Sequence, residues 1–263
     1  MKPLNISYVI IEYKSIYDVK KCINSIREKS KNLLYEIVVS SNSNYSSENK
    51  RSILKKFHGI KWIFNDKNLG FAKAMNIGIY HTSGEIVVIT NPDVMIYEGS
   101  LQSAYEYLIG HEDVGIIGPK IIDNNGNLED SCRKFMTPLD WFIRTLKRII
   151  FRKDILLNSR FNYNEIQIVD WVIGAFMIVK RKAMEIVGLL DEEYFLYVED
   201  MDWCKRFWDC GFKVVYYPKL VVKYKGDRKS TLPLIKRCFI NKYSIYHFKS
   251  YLRFIKKHWI KLV

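Results

Sequence analysis

Short β-branched runs alternate with helically spaced apolar positions through the first part of the chain. Ile6 to Ile11 is an apolar run ending in Glu12-Tyr13-Lys14, the profile of a buried strand that delivers a loop. Val19, Cys22, Ile23 and Ile26 then fall on one face of a helix over Val19 to Lys29. Glu36 to Val39 reads as a second buried strand, followed by the polar stretch around Asn42. Ile53, Leu54 and Phe57 mark a second helix, and Lys61 to Phe64 a third strand. Asn68-Leu69-Gly70 opens a helix that runs through Ile79, and Glu85 to Thr90 makes a fourth strand. Strands alternating with helices of this length predict βαβ units and an α/β domain with a mainly parallel sheet, binding ligands beyond the carboxyl ends of its strands.

Beyond the fourth strand the pattern loosens. Asn91-Pro92-Asp93 stops the ladder and presents Asp93 at the strand's carboxyl edge, with Asn-Pro-Asp also ordinary turn chemistry. A helix over Ser100 to Leu108 follows, then the strand VGIIGPKIID and a hairpin turn at Asn124 to Asn127. Over 131–161, Arg144, Lys147, Arg148, Arg152 and Lys153 interleave with Ile143, Leu146, Ile149, Ile150 and Phe151, a basic amphipathic pattern. Val169 to Lys180 returns to strand character, interrupted by Gly174. A helix over Arg181 to Val187 precedes YFLYVEDMDWCKRF, Tyr194 to Phe207, and Phe212 to Tyr217 is the last clear strand. From Thr231 to Val263 eight Lys/Arg and no acid alternate with aromatic and aliphatic residues, which predicts one or two basic amphipathic helices.

Composition narrows the function classes. The 263 residues suffice for one large domain with a proper core, and 48% hydrophobic content excludes disorder. A formal net charge of +14 points to a polyanionic partner: nucleic acid, an anionic membrane face or a phosphorylated small molecule. No nucleic-acid module is present, and the tail aromatics sit at helical rather than platform spacing, so nucleic acid is set aside. The five cysteines form no CxxC pair and read as free thiols of a reducing, cytoplasmic compartment. No apolar run reaches the ~18 residues of a transmembrane helix, and the basic tail predicts a peripheral seat on an anionic membrane.

The acidic stretch carries the chemistry. Glu199, Asp200 and Asp202 crowd three carboxylates into four positions among aromatics. Such groups are costly to bury unless paired or given a task.

Four blocks in order make the chain similar to the family 2 glycosyltransferases, particularly their rhamnosyltransferase-like branch. They are NLGFAKAMNIGI (Asn68 to Ile79), TNPDVMI (Thr90 to Ile96), VDWVIGAFMIVKR (Val169 to Arg181) and GLLDEEYFLYVEDMDWCKRFWDCGFKVVYYP (Gly188 to Pro218). The resemblance spans roughly residues 5 to 230. It implies a GT-A fold over 1–230, with a nucleotide-sugar half at about 1–98 and an acceptor half at about 99–230, followed by the tail 231–263. It implies inverting transfer of a sugar, rhamnose favoured, from a dTDP- or UDP-linked donor to a glycan or lipid-linked acceptor. Asp93 would be the ligand for Mg²⁺ or Mn²⁺, Asp200 the general base and Glu199 its neighbour.

On the donor side the resemblance implies Glu12, Tyr13, Ser41, Asn42, Asn68, Gly70, Phe71, Lys73, Asn76, Asn91, Lys223 and Arg228. On the acceptor side it implies Trp171, Gly174, Ala175, Tyr197 and Asp202, with Asp202 also expected to cap the helix at WCKRF. Tyr194, Phe195 and Tyr197 would form an apolar wall. Three positions depart from the family pattern. Ser41 stands where an Asp is usual, Glu12 where Asn or Thr is usual, and Lys223 where many relatives carry His. Ser41 and Lys223 leave open a binding or scaffold module with a weakened donor site.

Overall fold

The structure, a computed structural model, describes residues 5–135, 137, 161–225 and 242–260. The alternating pattern of the first part forms as the spacing predicts. Strands β1 (Asn5–Glu12), β2 (Leu34–Ser41), β3 (Lys61–Phe64) and β4 (Ile86–Thr90) make a parallel block. They are joined by helices α1 (Ile16–Lys29), α2 (Ser47–Lys56) and α3 (Phe71–Tyr80). In register Glu12 lies beside Ser41 and Ser41 beside Phe64, so these carboxyl ends come out along one edge.

The second part adds β5 (Val94–Glu98), α4 (Leu101–Gly110), β6 (Val114–Ile122), β7 (Cys132–Arg133), β8 (Gln167–Ile168), β9 (Trp171–Val172) and β10 (Phe176–Lys180). Helices α5 (Arg181–Val187) and α6 (Glu199–Asp209), strand β11 (Lys213–Tyr224) and helix α7 (Lys242–His258) follow. The sheet runs β3-β2-β1-β4-β10-β6-β11-β5, with β8 on β11, and β7 pairs β9 separately. Strand β10 enters antiparallel between β4 and β6, with Phe176 opposite Thr90. An antiparallel strand begins where its neighbour ends. Trp171 to Ala175, just ahead of β10, are therefore delivered to the carboxyl edge of β4.

Two elements differ from the sequence expectation. Val94–Glu98 is a strand pairing β11, where the helical spacing begins only at Ser100. The last strand continues past Pro218 to Tyr224. Its register on β6 shifts between Tyr217 and Val221, which accommodates a residue with no N–H to donate.

Alternation along β1 sorts the core into two layers: Ile6, Tyr8 and Ile10 join the cluster with α1, while Val9 and Ile11 join the one with α3 and α6. Tyr251 and Phe254 of α7 are buried in the second layer, so the C-terminal helix covers the same sheet face as the acidic stretch. Among the described residues no helix is long and apolar enough to cross a membrane. Residues 231–241 and the basic segment 138–160 lie outside the described residues.

Candidate active site

The acidic stretch does not precede the helix; it is the first turn of the helix. Helix α6 starts at Glu199, and the residues before it, Tyr197 and Val198, both have left-handed φ, +70° and +73°. For a β-branched residue that geometry costs about 1–3 kcal/mol and persists only where the surroundings impose it. Glu199 and Asp200 meet different surroundings. Glu199 is buried, and its Oε2 has no hydrogen-bond partner. Burial, with the charge of Asp200 next to it, pushes the Glu199 carboxyl well above the usual range.

Asp200 keeps part of its surface exposed. Its Oδ2 accepts the Gly174 N–H at 2.7 Å and its Oδ1 the Met201 N–H at 2.8 Å. Burial raises its pKa, while those two amides and the positive charge of Arg133 oppose the rise. A carboxylate that is partly exposed, oriented by two amides and more basic than a free Asp has the properties of a general base. The space at Gly174 is tight. A Cβ there would stand 3.1 Å from the Cβ of Asp200. The neighbouring Ala175 carbonyl accepts the Asn91 N–H at 2.9 Å. One two-residue bridge, Gly174-Ala175, thus ties Asp200 to the strand end that carries Asp93.

Asp202 is neither a helix cap nor an acceptor contact. Three residues into α6 it faces the protein interior with no exposed surface. Its Oδ2 accepts from Arg206 Nε at 2.9 Å, and its Oδ1 accepts from His258 Nε2 at 2.8 Å and lies 2.9 Å from Lys257 Nζ. Burial alone would raise this carboxyl, but the hydrogen bond from His258 and the charges of Arg206 and Lys257 hold it at about 2. The sequence places Asp202 and Arg206 four apart, which identifies their pairing. The two partners from α7, more than fifty residues away, carry no local signal.

Helix α7 also grips the loop before α6. Ser250 donates to the Leu196 carbonyl at 3.0 Å, Tyr246 packs on Phe195 and His247 on Tyr197. Arg253 pairs with Asp191 and Glu193, and Lys257 with Asp191 at 2.7 Å. Phe195 and Tyr197 therefore hold the tail helix as well as bordering the site, and Tyr194 is buried in the core.

Several expected donor contacts are occupied by the protein itself. Glu12 is fully buried and accepts from Ser41, Ser43, Tyr45 and the Ser15 N–H, at 2.5, 3.1, 2.9 and 2.9 Å. Ser41 is likewise buried, and Asn42 is spent on the Gly70 carbonyl, Asn65 and the Leu69 N–H. The three form a hub beneath the strand ends and offer a ligand almost no surface. Tyr13, by contrast, is 45% exposed directly beyond that hub.

Asn68 is exposed, and its Oδ1 accepts the Gly70 N–H. The N-terminus of α3 is closed: the Phe71 N–H donates to the Phe195 carbonyl at 2.8 Å, and a Cβ on Gly70 would meet that same oxygen at 2.5 Å. Asn76 clips the Leu190 backbone in both directions, through its Nδ2 at 2.8 Å and its Oδ1 at 3.1 Å, and Lys73 pairs with Glu192 at 3.3 Å. Gly70, Phe71, Lys73 and Asn76 thus fasten the loop before the acids onto α3 of the parallel block, a role their spacing could not reveal. Each partner lies more than a hundred residues away.

Around Asp93, Asn91 Nδ2 reaches the Tyr224 hydroxyl at 3.4 Å and the Lys225 N–H donates to the Asp93 carbonyl at 3.3 Å. Lys223 alternates to the other face of β11 and lies 3.7 Å over the Tyr97 ring, turned from the side on which Tyr224 meets Asn91. Arg228 lies outside the described residues.

A residue missing from the sequence reading is Arg133. It pairs across the β7–β9 ladder with Trp171, stacks on that indole at 5.0 Å and bonds Asp130 at 2.9 Å. Its charge is felt at Asp200. It was hidden because a two-residue strand in an irregular stretch has no periodicity. Trp171 itself is buried and donates to the Lys134 carbonyl.

A sheet of this order, with a base candidate and a strand-end carboxylate brought to one edge, defines the GT-A class of α/β folds. The solved structure "GalNAc-T7 with UDP, GalNAc and Mn2+" superposes with a TM-score of 0.66 over 99% of this chain and 49% of its own, at 16% identity. The chain belongs to the glycosyl transferase family 2, whose model matches residues 7–185. Its curated relatives include rhamnosyltransferases. It is 26% identical over 241 residues to the dTDP-rhamnosyl transferase RfbF of Shigella flexneri, covering 90% of this chain and 73% of that one. It is 25% identical over 193 residues to the N-acetylglucosaminyl-diphospho-decaprenol L-rhamnosyltransferase of Mycobacterium tuberculosis. That match covers 65% of this chain and 61% of the relative.

Proposed function

We propose that the protein is an inverting glycosyltransferase of cell-surface polysaccharide synthesis. In this reading it moves a sugar, rhamnose favoured, from a dTDP- or UDP-linked donor to a glycan or lipid-linked acceptor at the cytoplasmic face of a membrane. The observation that carries the reading is the bridge Asp200–Gly174-Ala175–Asn91, which ties an oriented, partly exposed carboxylate to the strand end bearing Asp93.

Asp200 takes the proton from the acceptor hydroxyl as that oxygen bonds to the anomeric carbon. The bond from that carbon to the diphosphate breaks on the opposite face, which inverts the centre. Burial and the neighbouring Asp200 disfavour the charged form of Glu199, and Arg133 favours the ionised form of Asp200. The Asp130-to-Ala175 side would face the acceptor, and the edge near Tyr13 and Asn68 the donor.

The family implies Mg²⁺ or Mn²⁺. Among the described residues no cluster of three His, Cys, Asp or Glu could hold a metal. A Mg²⁺-type ion carried by a diphosphate needs about one or two protein carboxylates, and Asp93 on the strand edge fits that requirement. When bound, such an ion neutralises charge on the leaving diphosphate.

The test is a screen of nucleotide-sugars with mass-spectrometric detection of products, run with wild type and Asp200→Asn. Transfer from a dTDP- or UDP-sugar that disappears in the variant supports the reading. Full turnover by Asp200→Asn, with a working donor and acceptor, refutes the assignment. Absence of any nucleotide-sugar binding at millimolar donor favours the scaffold alternative.

A further inference from the structure

Helix α7 has two faces, and the domain uses one. Its inner side carries Ser250, Tyr251, Phe254 and His258, which are engaged with the body as described above. On its outer side Ile245, Leu252 and Trp259 follow one another at seven-residue spacing, two helical turns apart. They are 37%, 48% and 42% exposed. Trp259 continues the helix, its N–H donating to the Ile255 carbonyl at 2.9 Å. Beside this apolar row runs a second row at the same spacing, Lys242, Lys249 and Lys256, all exposed.

We propose that this outer face of α7 docks on an anionic lipid surface, with the apolar row entering the headgroup boundary and the lysine row meeting lipid phosphates. The proposal rests on the glycosyltransferase reading only in the reason for docking, which is access to a lipid-linked acceptor.

Two parallel rows, one apolar and one cationic, are the pattern of a helix lying in the plane of an interface. Charge complementarity selects the occupant. From Thr231 to Val263 there is no Asp or Glu. A second copy packed on this face would bring an uncompensated lysine row to the seam, whereas a bilayer containing acidic lipids supplies the missing negative charge. Because the inner face of the same helix holds Asp202 of α6 and the Leu196 carbonyl, docking orients the catalytic helix with respect to the bilayer. The charge excess and the acidic stretch thereby become parts of one device.

Flotation of the full-length protein with phosphatidylcholine vesicles, with and without phosphatidylglycerol, tests this. Three proteins are compared: wild type, Lys249→Gln with Lys256→Gln, and Leu252→Ser with Trp259→Ser. Wild type should float with phosphatidylglycerol vesicles at low salt and be released at high salt. The lysine pair should weaken partitioning about thirtyfold, from about fivefold per charge near the surface. The apolar pair should weaken it at all salt concentrations. These positions face outward, so unchanged thermal unfolding verifies that the variants fold.

Failure of wild type to float at low salt overturns the proposal. So does flotation that neither pair diminishes, or a dimer in sedimentation that Leu252→Ser with Trp259→Ser abolishes. Vesicle binding needs no donor, so loss of the docking proposal and loss of the transfer reading are told apart by comparing flotation with the donor screen.

Discussion

Replacing Asp202 by Asn separates a structural carboxylate from a substrate contact. In the native protein this group has no exposed surface and faces Arg206, Lys257 and His258. Its pKa falls from the ordinary 3.8 to about 2. At about 1.4 kcal/mol per unit that is about 2 kcal/mol of stability at neutral pH. Leaving Arg206 and Lys257 without their buried counter-charge raises the cost towards the ~3–5 kcal/mol typical of a broken buried pair.

For a domain of this size each kcal/mol is worth about 2–4 °C, so Asp202→Asn should melt roughly 5–15 °C below wild type at pH 7. The sign with pH follows from the lowered pKa. The stabilisation is complete above the unfolded carboxyl's value near 4 and is lost as pH falls towards 2. The gap between wild type and variant, followed by circular dichroism melts from pH 7 downward, should stay level above pH ~5 and narrow below ~4. Hydrogen exchange should show faster opening of Lys242–His258 in the variant. Equal melting temperatures at pH 7, with a defect confined to acceptor KM, would show that Asp202 serves the substrate and refute the buried-cluster account.

Asp200→Asn should lower turnover about 10²–10⁴-fold while leaving calorimetric nucleotide-sugar binding unchanged, as expected for a base that acts on the acceptor. Because burial raises the Asp200 pKa, kcat/KM of the wild type should climb with pH through a midpoint above the ordinary Asp value of 3.8. A midpoint at or below that value contradicts its placement. Asn76→Ala strips both backbone groups of Leu190 of their partners and should cost about 2–4 kcal/mol in urea unfolding. Gly70→Ala sets a Cβ at 2.5 Å from the Phe195 carbonyl at φ +85°, so it should lower stability and loosen the loop before α6. An unperturbed Gly70→Ala protein would mean that the loop does not seat on α3.

The parallel half of the sheet was legible in the sequence, because βαβ order is written in local periodicity and each strand end is marked by its own turn residues. Asn124–Asn127 forms the turn its residues demand, with Asp123 Oδ1 accepting from Asn125 and Asn127. The acidic stretch stood out by charge alone, and the blocks around it pointed to the family that the comparisons support.

Which protein groups the individual residues of those blocks meet was decided by tertiary contacts. Asn76, Gly70 and Phe71 look like ligand-binding residues by position, yet their partners are Leu190 and Phe195. Glu12 and Ser41, two departures from the family pattern, prove to be one hydrogen-bonded pair across adjacent parallel strands, and only strand register brings them together. Arg133, whose charge is felt at Asp200, is positioned by a two-residue ladder that has no sequence signature. The tail is the clearest case. Amphipathic spacing determined that Lys242–His258 would be a helix with apolar and basic sides, but apolar residues lie on both sides of it. Which side is buried follows from its partners in the fold, the Asp202 carboxylate and the Leu196 carbonyl among them, and a one-dimensional pattern contains no such partner.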